Sequence, residues 1–254
     1  KLVIIIFYRS FIMANDLNPI RKLYYSFKKN NMTSLGIFLP SLKEPKSAKW
    51  VEDQISNLSP SSIVNATAFS AKNKNGVSPL DIGNVPIFQI ALSTNDKKSW
   101  EKEDRGLSPT NMAMHVALPE IDGRIFAGVA SFKKKMPTDF KLQFNEIKHE
   151  TYKDGISSIT QKVKSWIKLQ NTSLKMKKPA IILSTYPGKK WQIAHAVGLD
   201  TISSVQEILE YLKFIKKNEN IDVINNLNNK TIKWPISSYR KALKNISKKL
   251  KDDL

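Results

Sequence analysis

The sequence predicts an α/β fold. A doubly wound, mostly parallel sheet is expected over residues 1–135. A linker with one helix follows at 136–178, then the start of a second α/β unit at 179–254. Three observations predict this. Continuous apolar runs, Leu2–Tyr8 foremost, suit parallel strands covered on both faces, because neither face meets water. Such runs alternate with segments whose apolar residues recur at helical spacing, and β-α-β-α-β order implies parallel strands with helical crossovers. Polar residues gather where each strand should end, at Tyr8-Arg9, Ser41–Lys43, Asn65–Ser70 and Ser93, where open α/β sheets bind ligands. Polar loops at those ends are also common to any α/β protein.

Leu2–Tyr8 is the first strand. It is about seven residues long, far short of the roughly 20 that span a bilayer, and no signal-peptide pattern surrounds it. A chain that opens inside a core strand implies residues upstream. Pro19 starts a helix over Pro19–Asn30, with Leu23, Tyr24 and Phe27 on one face. Ser34–Leu39 is the second strand, Lys46–Leu58 an amphipathic helix, Ser62–Phe69 the third strand and Val85–Leu92 the fourth. Ser99–Leu107 reads as a charged helix, and Arg124–Phe132 is a further apolar stretch. Pro137 breaks the chain after Lys133–Lys135. Residues 154–170 form a solvated helix, Pro179–Thr185 a new buried strand, and Thr201–Lys216 an amphipathic helix capped by Asp200.

With 41% hydrophobic residues in 254, the chain can build one large core or two modest ones. It has no cysteine, which excludes disulfides, thiolate metal sites and a cysteine nucleophile, and fits a reducing, cytoplasmic setting. A net charge of +19 raises nucleic acid or anionic membrane as partners. Arginine, however, occurs only at positions 9, 21, 105, 124 and 240. Specific nucleic-acid sites favour arginine forks, so the spread lysines read as a solvated surface and neither nucleic acid nor membrane is expected as a partner.

The densest chemistry lies at 112–126, MAMHVALPEIDGRIF, with His115, Glu120, Asp122 and Arg124 within ten residues. A histidine and two carboxylates can hold a divalent metal or accept protons. Equally, Asp122-Gly123 can be plain turn chemistry and Glu120 can pair with Arg124 at the surface. A strand followed by Gly188-Lys189 has the look of a phosphate loop. It lacks the first glycine, and Lys190 stands where a Ser/Thr would hold magnesium, so this chain is not expected to hydrolyse ATP. His195 lies in the loop before the next helix, facing a ligand or simply solvent.

These segments resemble one family. IIIFYRSFIMANDLNPI (4–20), SLKEPKSAKW (41–50), IVNATAFSA (63–71), PLDIGNVPIFQIALS (79–93), RGLSPTNMAMHVALPEIDGRIFAGVASFK (105–133) and LSTYPGKKWQIAHAVGLDTISSV (183–205) resemble, in order, the large subunits of the CobN and magnesium chelatase H family. Ala130–Lys133 looks cobalt-type. Thr185 and Ala196 depart from the usual Asn and Gly of the later motif. The family's subunit is several times longer, so an internal slice, inactive alone, is expected.

The resemblance implies ATP-dependent insertion of Co2+, as substrate, into hydrogenobyrinic acid a,c-diamide for cobalamin synthesis. ATP and Mg2+ would be used by an AAA+ ATPase subunit and its partner subunit, not by this chain. Glu120 is the expected catalytic group, assisted by His115 and Asp122, with His115 and Glu120 as transient metal ligands. Arg9, Arg124 and Lys133 would grip carboxylate arms of the tetrapyrrole. Asn65 would orient an amide, and His195 would add a contact. The rival readings are a magnesium chelatase H subunit acting on protoporphyrin IX, and a non-catalytic basic α/β module binding a ligand or nucleic acid.

Overall fold

A computed structural model describes residues 1–103, 106–184, 194, 198–214 and 234–246. The chain divides into two compact units, Lys1–Ser173 and Leu174–Leu254.

The first unit carries a six-stranded sheet in the order β2-β1-β3-β4-β5-β6. Strands β1 (Leu2–Tyr8), β2 (Thr33–Leu39), β3 (Ser62–Asn65), β4 (Ile87–Leu92) and β5 (Ile125–Asp139) run parallel; β6 (Phe144–Thr151) is antiparallel to β5. Alternation along β1 assigns its side chains to two cores. Val3, Ile5 and Phe7 join Leu23 and Phe27 of α2 (Asn18–Lys29), which follows the short helix α1 (Ser10–Met13), on one face. Ile4 and Ile6 join Val51 and Ile55 of α3 (Pro45–Leu58) on the other. A strand apolar on both sides is thus buried on both, and the sheet is doubly wound as expected. Helix α2 packs against both edge strands, β2 and β6, so the sheet curls around it.

The chain reverses direction between β1 and β3: from β1 it moves out to β2, then returns past β1 to continue through β3, β4 and β5. This is the crossover point at which open α/β sheets leave a crevice at the carboxyl ends of their strands.

Several expectations change. β3 stops at Asn65 instead of Phe69, because the Asn65 side chain turns back to accept from Thr67 N and Thr67 Oγ1 and ends the ladder. The charged helix α4 is Lys97–Lys102, capped by Asp96, whose carboxylate accepts from Ser99 N. The linker expected at 136–178 is structured for most of its length. β5 continues to Asp139 and forms a hairpin with β6. Pro137 is tolerated because the register is irregular between Lys135 and Thr138, so its missing N–H breaks no ladder bond. Helix α7 (Lys153–Gln170) is not solvated either, since Ile156, Ile159, Val163 and Ile167 complete the core beside α2. Its start lies so close to β5 that a Cβ on Gly155 would fall 1.9 Å from the Val129 carbonyl oxygen.

In the second unit, Asp200 caps helix α8 (Thr201–Tyr211) by accepting from Ser203 N, and α9 spans Ile236–Lys244. Residues 179–184 form no strand, against expectation. Thr185, Gly188, Lys189 and His195 lie outside the described residues. No helix among the described residues is long and apolar enough to cross a membrane.

Candidate functional site

The carboxyl rim of the sheet holds a cleft at the crossover between β1 and β3. It encloses about 360 Å³ between Tyr8, Ser41–Lys43, Thr67–Ala71 and Leu118. Its floor is pinned by the half-buried Tyr8 hydroxyl, which donates to the Ala68 carbonyl (3.0 Å) and accepts from Ala68 N (3.2 Å). Burial pushes the Tyr8 phenol above its ordinary pKa, so it stays neutral. Phe69 stands at the mouth, 49% exposed, with a left-handed backbone (φ 68°). That conformation is uncommon for a bulky residue and stores strain of about 1–3 kcal/mol. It is held by the Phe69 N–H bond to the Met114 carbonyl (2.8 Å). The result is an aromatic face offered to solvent beside the cleft.

Met114 belongs to a nearly continuous helical segment: α5 (Pro109–Met112), a π-helical turn (Ala113–Ala117) and α6 (Leu118–Ile121). Ser108 and the fully buried Asn111 fix its start. Asn111 Oδ1 accepts from Thr94 N, and its amide donates to Asn95 Oδ1 and Ser108 Oγ. Pro119 does not interrupt the segment. The widened π turn precedes it, and Pro119 then occupies the first turn of α6, where its missing N–H costs least.

The π turn packs on β4 and carries His115 inward. His115 is 5% exposed and its Nδ1 has no hydrogen-bond partner among the described residues. Desolvation pushes its pKa from 6.5 down to about 4, so the imidazole is neutral with lone-pair capacity at physiological pH.

The other expected site residues separate into two groups. Glu120 and Arg9 are exposed and form no side-chain hydrogen bond or ion pair among the described residues. Asp122, Arg124 and Asn65 are buried and internally committed. The Asp122 carboxylate accepts from Ser70 Oγ and Ala71 N, both at 2.6 Å, clamping the cleft wall to the 119–124 elbow. Arg124 immediately precedes β5, at the opposite end of the sheet from the rim, and pairs there with Asp81 at 2.6 Å instead of with Glu120. Asn65 Nδ2 donates to Gln89 Oε1 inside the sheet (2.8 Å). These three hold the scaffold, where the sequence reading had Asp122 in catalysis and Arg124 and Asn65 on the substrate. Lys133 does reach the rim, but bonded to the buried Asp16 at 3.1 Å.

Asp16 and His149 were not foreseen. His149, opposite Lys133 on β6, is 4% exposed; its backbone N donates to Asp16 Oδ1 (2.8 Å) and its Nδ1 shares a hydrogen bond with Ser131 Oγ (2.9 Å). Burial first, then the nearby Lys133 charge and His115, lower its pKa to about 4, against the opposing pull of Asp16. The linker expected at 136–178 hid this histidine. The charges gave little signal, since Lys134 faces Lys148 and meets its ion-pair partner Glu150 only diagonally across the two strands. Phe69 carried no sequence signal, because only the fold reveals its backbone.

A sequence model of the CobN/Magnesium Chelatase family matches residues 1–226. The chain belongs to the CobN/magnesium chelatase family. It is 28% identical over 208 residues to an aerobic cobaltochelatase subunit CobN from Sinorhizobium sp, covering 81% of this chain and 16% of that protein. Against the Pseudomonas aeruginosa CobN it is 29% identical over 212 residues, covering 83% and 17%. A rice chloroplastic magnesium-chelatase subunit ChlH is 27% identical over 138 residues, 53% of this chain and 9% of that one. The fold matches the catalytic subunit of cobaltochelatase from Mycobacterium tuberculosis with a TM-score of 0.69 and 22% identity, over 84% of this chain and 18% of that chain. The chain therefore spans about a sixth of the length of these CobN relatives. Within the family frame, the cleft draws on the segments 4–20, 41–50, 63–71 and 105–133, and the π turn and the elbow come from 105–133.

Proposed function

We propose that this chain forms part of the tetrapyrrole-binding subunit of an ATP-dependent cobaltochelatase, which inserts Co2+ into hydrogenobyrinic acid a,c-diamide. The observation that carries this reading is the family match over residues 1–226. Cobalt is favoured because the CobN relatives align with 81–83% of the chain and the magnesium-chelatase relative with 53%.

The macrocycle edge would enter the rim cleft, with the Phe69 ring against its flat face, since aromatic faces stack in offset fashion. Arg9 would grip a carboxylate arm with paired hydrogen bonds. Co2+ arrives as substrate, and its acceptance of both imidazole and carboxylate ligands suits transient handling by His115 and Glu120. Glu120 would take protons released by the ring nitrogens as the metal enters. ATP and Mg2+ would be used by an AAA+ subunit and its partner in the same complex.

The test is reconstitution of the intact subunit with its partner subunits, following Co2+ insertion by the absorbance change of the ring. Wild type should turn over. Glu120→Gln should lose insertion while keeping ring affinity, and unchanged turnover would remove Glu120 from the mechanism. Preferential Mg2+ insertion into protoporphyrin IX would move the chain to the magnesium branch. Steeply salt-dependent DNA binding without ring affinity would replace the enzyme reading altogether.

A further inference from the structure

Two of the cations at the rim, Arg9 and Lys133, differ in a way that bears on which arm of the substrate each can hold. Arg9 is exposed, with no ion pair among the described residues. Lys133 Nζ lies 3.1 Å from Asp16 Oδ2. The Asp16 side chain is 5% exposed and that of Lys133 29%. Asp16 cannot swing away, because its other oxygen accepts from His149 N at 2.8 Å. The lysine charge is thus cancelled at contact distance by a fixed carboxylate.

An ammonium has three donors. One goes to Asp16, and the others can serve an acceptor arriving from the open side. A carboxylate arriving there would also meet the negative charge of Asp16. A neutral carbonyl would accept the same hydrogen bond without that repulsion. β1 and β5 are three inter-strand spacings apart, about 14 Å along the sheet, so arms on different edges of one macrocycle can reach both cations.

We propose that the Asp16–Lys133 pair is a recognition site for a carboxamide arm of the macrocycle, while Arg9 takes a carboxylate arm. Lys133 donates to the amide carbonyl, and Asp16 is a positioning residue that sets the charge Lys133 presents. This rests on the reading of the chain as part of a ring-binding subunit.

The experiment is titration of the intact subunit with two rings, the a,c-diamide and the same ring with all side chains as free acids. The readout is the ratio of their affinities. Wild type should prefer the diamide. Asp16→Asn keeps an acceptor for His149 N, so the staple of the fold survives, but it frees the lysine charge. The ratio should then move about tenfold toward the acid form, as expected for one charge-assisted hydrogen bond at a half-open site. Lys133→Met should move it the opposite way, because it leaves the Asp16 charge uncancelled. Ring binding with a ratio unchanged in both variants, or moved the same way by both, overturns the carboxamide site alone. Loss of binding to both rings in wild type would overturn the ring-binding reading and this site with it.

Discussion

Acid should unfold the first unit through its two buried histidines. His115 and His149 titrate near 4 in the folded chain, against 6.5 for the ordinary imidazole. Each is therefore neutral when folded, and the unfolded chain binds the extra protons below pH 6.5. Their stabilising contribution is complete above pH 6.5 and falls away as pH drops from 6.5 to about 4. One pKa unit is worth about 1.36 kcal/mol, so each histidine contributes about 3 kcal/mol over that window. Because His149 is held down in part by His115, the two together contribute less than twice that. His115→Gln should shrink the loss of unfolding free energy between pH 7 and pH 4.5 by about 2.5 kcal/mol relative to wild type. Urea denaturation at pH 4.5, 5.5, 6.5 and 7, followed by tryptophan fluorescence, reads this directly. Carboxylates titrate in both proteins and cancel in the comparison. Identical pH slopes in wild type and variant would refute the reasoning.

Other outcomes follow from single contacts. Phe69→Gly should weaken ring binding about tenfold by isothermal titration while leaving the thermal midpoint unchanged or higher, because glycine accepts the left-handed backbone without strain. Asp122→Ala should cost about 2–4 kcal/mol in urea, since Ser70 and Ala71 lose a charged acceptor and the cleft wall loses its clamp. Gly155→Ala should destabilise by about 3 kcal/mol or more in the same assay, because its Cβ meets the Val129 carbonyl and the Tyr152 ring and helix α7 must shift away from β5.

The sheet was legible because burial on both faces leaves an unmistakable mark: Leu2–Tyr8 and Val85–Leu92 contain almost nothing polar. The β5–β6 hairpin was not, because it projects past the layers that would impose a pattern. Lys133–Lys135 run together without alternation, and Pro137 sits where pairing is already irregular. At the site, residue types were visible and their commitments were not. Asp122, Arg124 and Asn65 look like binding groups in one dimension, yet each meets a partner 24 to 52 residues away that closes it off. Lys133 and Asp16 are separated by 117 positions, so their mutual neutralisation exists only in the folded chain. His115 could be marked as chemically able, but its neutral state depends on burial by the π turn against β4.

The most direct test is a structure of the intact subunit with its macrocycle bound. The ring should lie over the carboxyl rim, in contact with Phe69, Tyr8 and Leu118, with Glu120 on the side from which the metal enters. A ring bound elsewhere, with the cleft between β1 and β3 left open, would contradict the assignment of this rim as the place where the chemistry occurs.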